Sequence, residues 1–286
     1  MMSILESVAD RQVAWSETAN ALKSATDRAR YSTFIASFLG ALFAAFAVQQ
    51  INPNIAIYLA VLSAISLAFV TFITARWLNK DVLDRHLRAR IASEALKREA
   101  FLYATQAGPY HDPQTRDKIL LNQKSEIENR VNDLLLFERA AKGLGSCPRQ
   151  DLSLNEYMEQ RIDKQIKYYR DRSKRYDTYS QRLHTLEWLL SLVAAIIAAL
   201  AASPLLNIDL AAITAVLTTL GGVVVSHLEA TRFGKLIPIY RATANRLENI
   251  KLKIQIDKAT PTDWVKECET VLAAENSAWM GLWMES

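Results

Sequence analysis

Four histidines are the first place to look for chemistry, and their positions argue against it. His86, His111, His184 and His227 are scattered along the 286 residues. None sits in an HExxH or a Cys/His cluster of the kind that holds zinc. Cys147 and Cys268 lack a CxxC or metal-like spacing and read as ordinary reduced thiols. The stretch HDP at 111–113 sets a histidine beside an aspartate, but in a turn and without a nucleophile, which is turn chemistry. GLGS at 143–146 lacks the third glycine and the preceding strand of a phosphate cradle, and reads as a helix-ending loop. The chain therefore reads as a non-enzyme with no catalytic, cofactor or metal residues. Nor does an aromatic and basic module point to nucleic acid.

A different set of polar residues does fall at a functional spacing. Ser63, Ser66, Thr71 and Thr74 share one side of an uncharged run, and Thr214, Thr218 and Gly221 share one side of another. Small and hydroxylated residues let membrane helices approach closely and bond across their interface. The same stripe in an oligomer would line a narrow wet pore, with Glu187 and Glu229 at its cytoplasmic mouth favouring cations. Ionisable groups inside a bilayer mark proton relays and ion-coupled transport. Here the runs hold His227 alone, which disfavours a coupled transporter.

The elements that carry these residues are four runs free of Asp, Glu, Lys and Arg: 33–48, 55–75, 188–206 and 210–228. At about 1.5 Å per residue each approaches the roughly 30 Å hydrocarbon core. A soluble bundle would show a polar stripe every third or fourth position, and these runs show scattered Ser and Thr. With Gly (8) and Pro (7) scarce, long helices are expected between the turns. Basic residues gather on one side of the runs (Arg28, Arg30, Arg76, Lys80, Arg85, Lys174, Arg175, Arg182, Arg232, Lys235), while the tips Ile51–Asn54 and Asn207–Asp209 have none. The positive-inside rule then places both termini and the middle segment in the cytoplasm. Glu6 and Asp10 interrupt the amino-terminal segment, so a cleaved signal peptide is not expected. The net charge of +4 is mild and concerns orientation and anionic lipid more than any other partner.

The two halves repeat. At an offset of 151 residues Pro53 meets Pro204, Arg90 meets Arg241 and Leu96 meets Leu247, the mark of a tandem duplication. The expected organisation is a two-span repeat over 1–110, a helical connector over 111–150 and a second two-span repeat over 151–286. No Gly or Pro lies between Pro53 and Gly108, or from Leu152 to Ser203, so each stretch predicts one long helix. Ser153 with Glu156 predicts a capping box, followed by Met158, Ile162, Ile166, Tyr169, Tyr176 and Leu183 on one side. Val82, Ala89, Leu96 and Tyr103 recur every seven residues, a coiled-coil-like seam. Further helices are expected over Ile119–Lys142 and Arg241–Lys258, and from Thr260-Pro261 to a segment ending with Trp279 and Trp283. The fold class is an all-α membrane protein. Its four transmembrane helices form two tandem hairpins whose long helices extend into a cytoplasmic bundle. Within that stalk Arg90, Glu94 and Leu96, repeated as Arg241, Asn245 and Leu247, mark helix packing; a ligand site at Arg90, Glu94, Arg241 and Asn245 is the sharper alternative.

The segments RARIASEALKREAFLYATQAGPY (88–110), QIKYYRDRSKRY (165–176), YRATANRLENIK (240–251) and VLAAENSAW (271–279) resemble the bacterial SLATT superfamily, in particular its tandem form of unknown function. That resemblance implies a two-span membrane effector of bacterial conflict and defence systems, a homo-oligomer of the inner membrane that forms a pore or ion channel when triggered. Such modules are sometimes paired with nucleotide-sensing domains; this chain shows no sensor of its own, so the trigger is expected from a partner, such as a soluble nucleotide-sensing protein, or from a small ligand. A non-conducting, membrane-anchored scaffold that recruits a soluble partner is the alternative.

Overall fold

The computed structural model describes residues 3–49, 52–201, 211–256 and 260–284, which are all-helical with no strand among them. The second hairpin tip, with Pro204, Asn207–Asp209 and Leu210, lies outside the described residues, as does Lys258. Among the described residues nine α-helices follow in order: α1 Ile4–Val48, α2 Pro53–Trp77, α3 Lys80–Ala104, α4 Arg116–Asn129, α5 Leu154–Tyr157, α6 Lys164–Ala201, α7 Ala211–Thr231, α8 Phe233–Ile256 and α9 Pro261–Met284.

Both repeats open with the same capping device. The Ser3 backbone N–H donates to Glu6 Oε2 at 2.7 Å while Ser3 Oγ accepts from the Glu6 N–H at 3.1 Å. Ser153 and Glu156 repeat the exchange at 2.8 and 3.3 Å, satisfying first-turn donors reciprocally. These boxes stand 150 residues apart, whereas Arg90 and Arg241 stand 151 apart. The odd residue falls beside Met158–Asp163, which winds as a π-helix between α5 and α6, the form in which a helix absorbs an insertion without breaking.

The stretch predicted from Leu152 to Ser203 is thus helical from Leu154 to Ala201, with this one wide turn. Its counterpart after Pro53 is not a single helix. Pro53 occupies the first turn of α2 beneath the Asn52 cap, but the helix stops at Leu78 and restarts at Lys80. Asn79 Nδ2 donates back to the Ala75 carbonyl at 3.1 Å, the competition with backbone hydrogen bonding for which Asn is a poor interior residue. The helix expected over Ile119–Lys142 ends at Asn129; a 3₁₀ turn covers Asn132–Phe137 and irregular backbone follows. Long-range bonds impose that change. Arg88 holds Asp133 and the Arg130 carbonyl at 2.7 Å, Arg11 binds Glu128 and Glu138, and the Arg139 N–H donates to Thr18 at 2.9 Å. The helix expected from Arg241 begins earlier, at Phe233, after Arg232 turns the chain with a φ of 54°.

The chain packs into two compact units that cut across the repeat. The apolar unit, Ala25–Asn79 with Arg175–Gly234, contains all four uncharged runs. Its helices α1, α2, α6 and α7 each include a stretch long and apolar enough to cross a membrane. They turn most of that apolar surface outward: Ile57, Tyr58, Ile65, Phe72, Trp188 and Ile196 are exposed. The strongest stretch, in α2, combines a mean hydropathy of 2.4 with 6% of its residues buried, the inverse of a water-soluble helix. What is buried is small or locally packed. Leu183, Val224 and Leu228 form a cluster with Phe34 and Leu190. This is a multi-pass membrane protein.

The polar unit, Met1–Ser24 with Lys80–Lys174 and Lys235–Ser286, has a conventional core of Val8, Trp15, Leu96, Phe101, Tyr110, Leu120, Tyr157, Ile162, Tyr240 and Leu247. Ala89, Leu96 and Tyr103 of the predicted seam are buried, while Val82 is half-buried. The helix predicted from Pro261 forms as α9 and lies along α3.

Candidate functional site

In the apolar unit the hydroxyl stripe divides by role. Ser63 is buried and its Oγ donates to the Gly40 carbonyl at 2.8 Å, joining α2 to α1. Gly40 permits that approach, because a Cβ there would stand 3.3 Å from Leu67 Cδ2 and Ser66 Cβ. Ser66, half-buried, and Thr71, exposed, bond back to the carbonyls of Leu62 and Leu67 at 2.9 and 3.2 Å. Thr218 does the same to Thr214 at 2.9 Å. Thr74 is exposed, Thr214 half-buried and Gly221 buried. Ser63 is therefore a packing residue, while Thr71, Thr74 and Thr218 present a polar row on the outside of this unit. Glu187 contacts His184 at 3.4 Å, and Glu229 is exposed beyond the fourth run.

The polar unit gathers its charges more tightly. In the π-helical turn, Arg161 meets Glu269 of α9 in a two-pronged contact, Nε to Oε1 at 3.0 Å and Nη2 to Oε2 at 3.1 Å. Their side chains are 3% and 1% exposed. Tyr157 donates to the same carboxylate at 3.0 Å, and the guanidinium lies 4.9 Å from the centre of the Phe101 ring. Burial works against the charge on Arg161, but Glu269 outweighs it and leaves the pKa above the ordinary arginine value. Beside Glu269, Cys268 is fully buried, and that burial pushes its thiol up to about 12.

Nearly two turns further along α9, Tyr169 donates to Glu275 Oε2 at 3.1 Å, while Arg90 Nη2 stays 3.9 Å from Glu275 Oε1. Arg90 lies flat over Trp279, 4.0 Å from the ring centre, and His86 meets the same indole edge-on. Trp279 is thus buried within the polar unit. Desolvation raises the Glu275 pKa, with Arg90 and Tyr169 opposing it. Desolvation lowers that of Lys97, helped by the charge on Arg161.

Of the repeated stalk motif, Leu96 and Leu247 are fully buried, as their apolar register predicts. Arg90 and Glu94 line two cavities. Arg241 and Asn245 lie on the exposed side of α8, so the structure does not bring the four polar positions together. Arg161, Glu269, Glu275 and Lys97 escaped sequence reasoning. A signal existed: Val265, Cys268, Glu269, Leu272, Glu275 and Trp279 follow helical spacing, and two carboxylates occupy slots of an otherwise apolar stripe.

Residues 157–279 match the family described as SMODS and SLOG-associating 2TM effector domain 1, and residues 11–118 match a family described as protein of unknown function, DUF4231. No curated protein and no solved structure matches the chain. The two family matches fall one in each half of the duplication, each holding two of the four apolar stretches. Residues 157–279 thus carry a SLATT-type two-transmembrane effector domain, and the DUF4231 match in the other half is consistent with a tandem SLATT-type arrangement.

Proposed function

We propose that this protein is a homo-oligomeric effector of the bacterial inner membrane whose paired hairpins form or gate a pore, without catalysis of its own. The carrying observation is the polar row of Thr71, Thr74 and Thr218 on the outer surface of helices that otherwise expose apolar side chains. Such a row is better accommodated against other copies or water than against lipid. Four spans enclose little space, so the path requires assembly. Basic flanks on one side of the runs support cytoplasmic termini, with the polar unit in the cytoplasm, where a soluble partner, nucleotide-sensing or otherwise, has access to it. The whole chain reconstituted in liposomes should conduct cations, and Thr71→Leu with Thr218→Leu should abolish conductance while the oligomer persists. Unchanged conductance in that double variant removes the row from the lining.

A second reading, a non-conducting scaffold, is favoured by one feature. Leu135, Leu136, Phe137 and Leu144 of the connector are exposed, Leu136 at 92%, an apolar surface suited to a soluble protein. Silent liposomes together with a stoichiometric soluble partner would select it.

A further inference from the structure

The tandem copies diverge at corresponding positions of their exit helices. On α8, Asn245 and Glu248 both close on Arg170, at 3.2 and 2.7 Å, and the cluster is spent on that pairing. On α3 the equivalent residues are Glu94 and Lys97, and with Arg90 they line a cavity of about 260 Å³ between α1, α3, α6 and α9. That is many times the ~15 Å³ that one water needs.

The walls hold polar groups of both signs that the protein leaves without partners. Glu94 and Lys97 lie three residues apart, yet neither makes a hydrogen bond or ion pair among the described residues. Glu275 is 3% exposed and its Oε1 has no hydrogen-bond partner. A second cavity of about 150 Å³ shares Arg90, Glu94 and Asn276, and there the buried Arg161 Nη1 is likewise unpartnered. Unsatisfied buried polar atoms are costly and rare in folded proteins, and one in each of two cavities that share walls calls for an occupant. The larger cavity is lined by cationic side chains, Arg90 and Lys97 among them, and by two carboxylates, Glu94 and Glu275. A lining of both signs suits a zwitterion, its anionic end on the cations and its cationic end on the Glu275 oxygen that makes no hydrogen bond.

We propose that this cavity binds a small phosphate ester bearing an ammonium group, the phosphate held by Lys97 and Arg90 and the ammonium by Glu275. Such a ligand relieves the two groups whose charge burial disfavours, Lys97 and Glu275. The chemistry is shared by free amino-phosphates and by the headgroup of phosphatidylethanolamine. The site stands independently of whether the apolar unit conducts.

Calorimetric titration of the full chain in non-ionic detergent tests it, with inorganic phosphate and O-phosphoethanolamine as probes and chloride matched for ionic strength. Both probes should saturate one site, O-phosphoethanolamine at least about tenfold more tightly, the ratio expected from one charge-assisted contact. Lys97→Met should lose both. Lys97→Arg, which keeps a cation, should retain both and so separates loss of charge from loss of fold. Glu275→Gln should keep phosphate and bring the ratio to about one. In nanodiscs, competition by phosphatidylethanolamine against the added probe identifies the lipid headgroup as the occupant, and its absence identifies a free ligand; each supports the site. No saturable heat with either probe, or equal binding by Lys97→Met, overturns it.

Discussion

Replacing Glu269 by leucine should open the polar unit locally, and the size of the effect follows from the geometry. The substitution removes the carboxylate that receives both Arg161 nitrogens and the Tyr157 hydroxyl, leaving a guanidinium that is 3% exposed with no countercharge in contact. Removing one partner of a buried pair costs about 3–5 kcal/mol. The Phe101 ring, 4.9 Å from the guanidinium, offsets about 1 kcal/mol of that. A net loss of about 2–4 kcal/mol corresponds to an open population raised about 30- to 1,000-fold.

Cys268 reports that population directly. Its thiol is fully buried and held up to about 12 by that burial, so a maleimide reaches it through open molecules, and labelling tracks their abundance when reclosing is fast. In a Cys147→Ser background, Glu269→Leu should label faster by the factor above. Arg161→Met with Glu269→Leu should return to within about tenfold of the parent, because apolar replacement of both partners is close to neutral. The difference is the coupling energy of the pair. Labelling of the single variant within threefold of the parent, or a double variant no slower than the single, would refute the assignment of this pair as the lock between the π-helical turn and α9.

Other expectations are read in simpler ways. Gly40→Leu should lower the thermal midpoint in detergent, since its Cβ already meets Leu67 and Ser66 at 3.3 Å; Ser63→Ala should cost only about 0.6 kcal/mol, the average for such membrane hydrogen bonds. Lys97 has a folded pKa below its unfolded value, so the folded chain binds fewer protons between the two. Stability should therefore rise with pH from that lowered value towards the ordinary lysine value, and melting curves of Lys97→Met between pH 7 and 10 should lose this rise. Glu275 runs the other way: its folded pKa is raised, so its contribution falls as pH climbs from the ordinary glutamate value through the raised one, and Glu275→Gln should flatten that decline. Deleting Gln160 should convert the π-helical turn to α-helix and rotate α5 by about 100° relative to α6, separating Tyr157 from Glu269 and raising Cys268 labelling.

The four membrane-crossing stretches were legible because a bilayer demands uncharged length, and charge is the easiest property to read from a sequence. Capping at Ser153 and the start of α9 at Pro261 were legible for a similar reason, since one or two residues decide each. The break at Leu78 was not, because no glycine or proline marks it and a single Asn79 bond reinforces it. Nor was the early end of α4, where Arg88 and Arg11 reach across from other helices to pin the chain. The cavity was invisible for a stronger reason. Its lining comes from α1, α3, α6 and α9, and nothing local in Arg90, Glu94 and Lys97 distinguishes them from their counterparts on α8.

The duplication explains that ambiguity. Each repeat ties its lead-in helix to the segment after its exit helix by an arginine placed the same distance from its capping box: Arg11 from Ser3, Arg161 from Ser153. Arg11 grips Glu128 and Glu138 with its side chain 28% exposed, where an ion pair contributes at most about 1 kcal/mol. Arg161 grips Glu269 out of contact with water, where breaking the pair costs several times as much. A duplicated helix pair gives both copies the same register but only one extra residue, and the copy that received it winds Met158–Asp163 as a π-helix. That turn carries Arg161 into the interior and sets a buried charge beside the cavity that the first copy's exit helix helps to line. Equal motifs thus came to unequal use: the α8 phrase closes on Arg170 at the surface, while the α3 phrase faces a charged cavity.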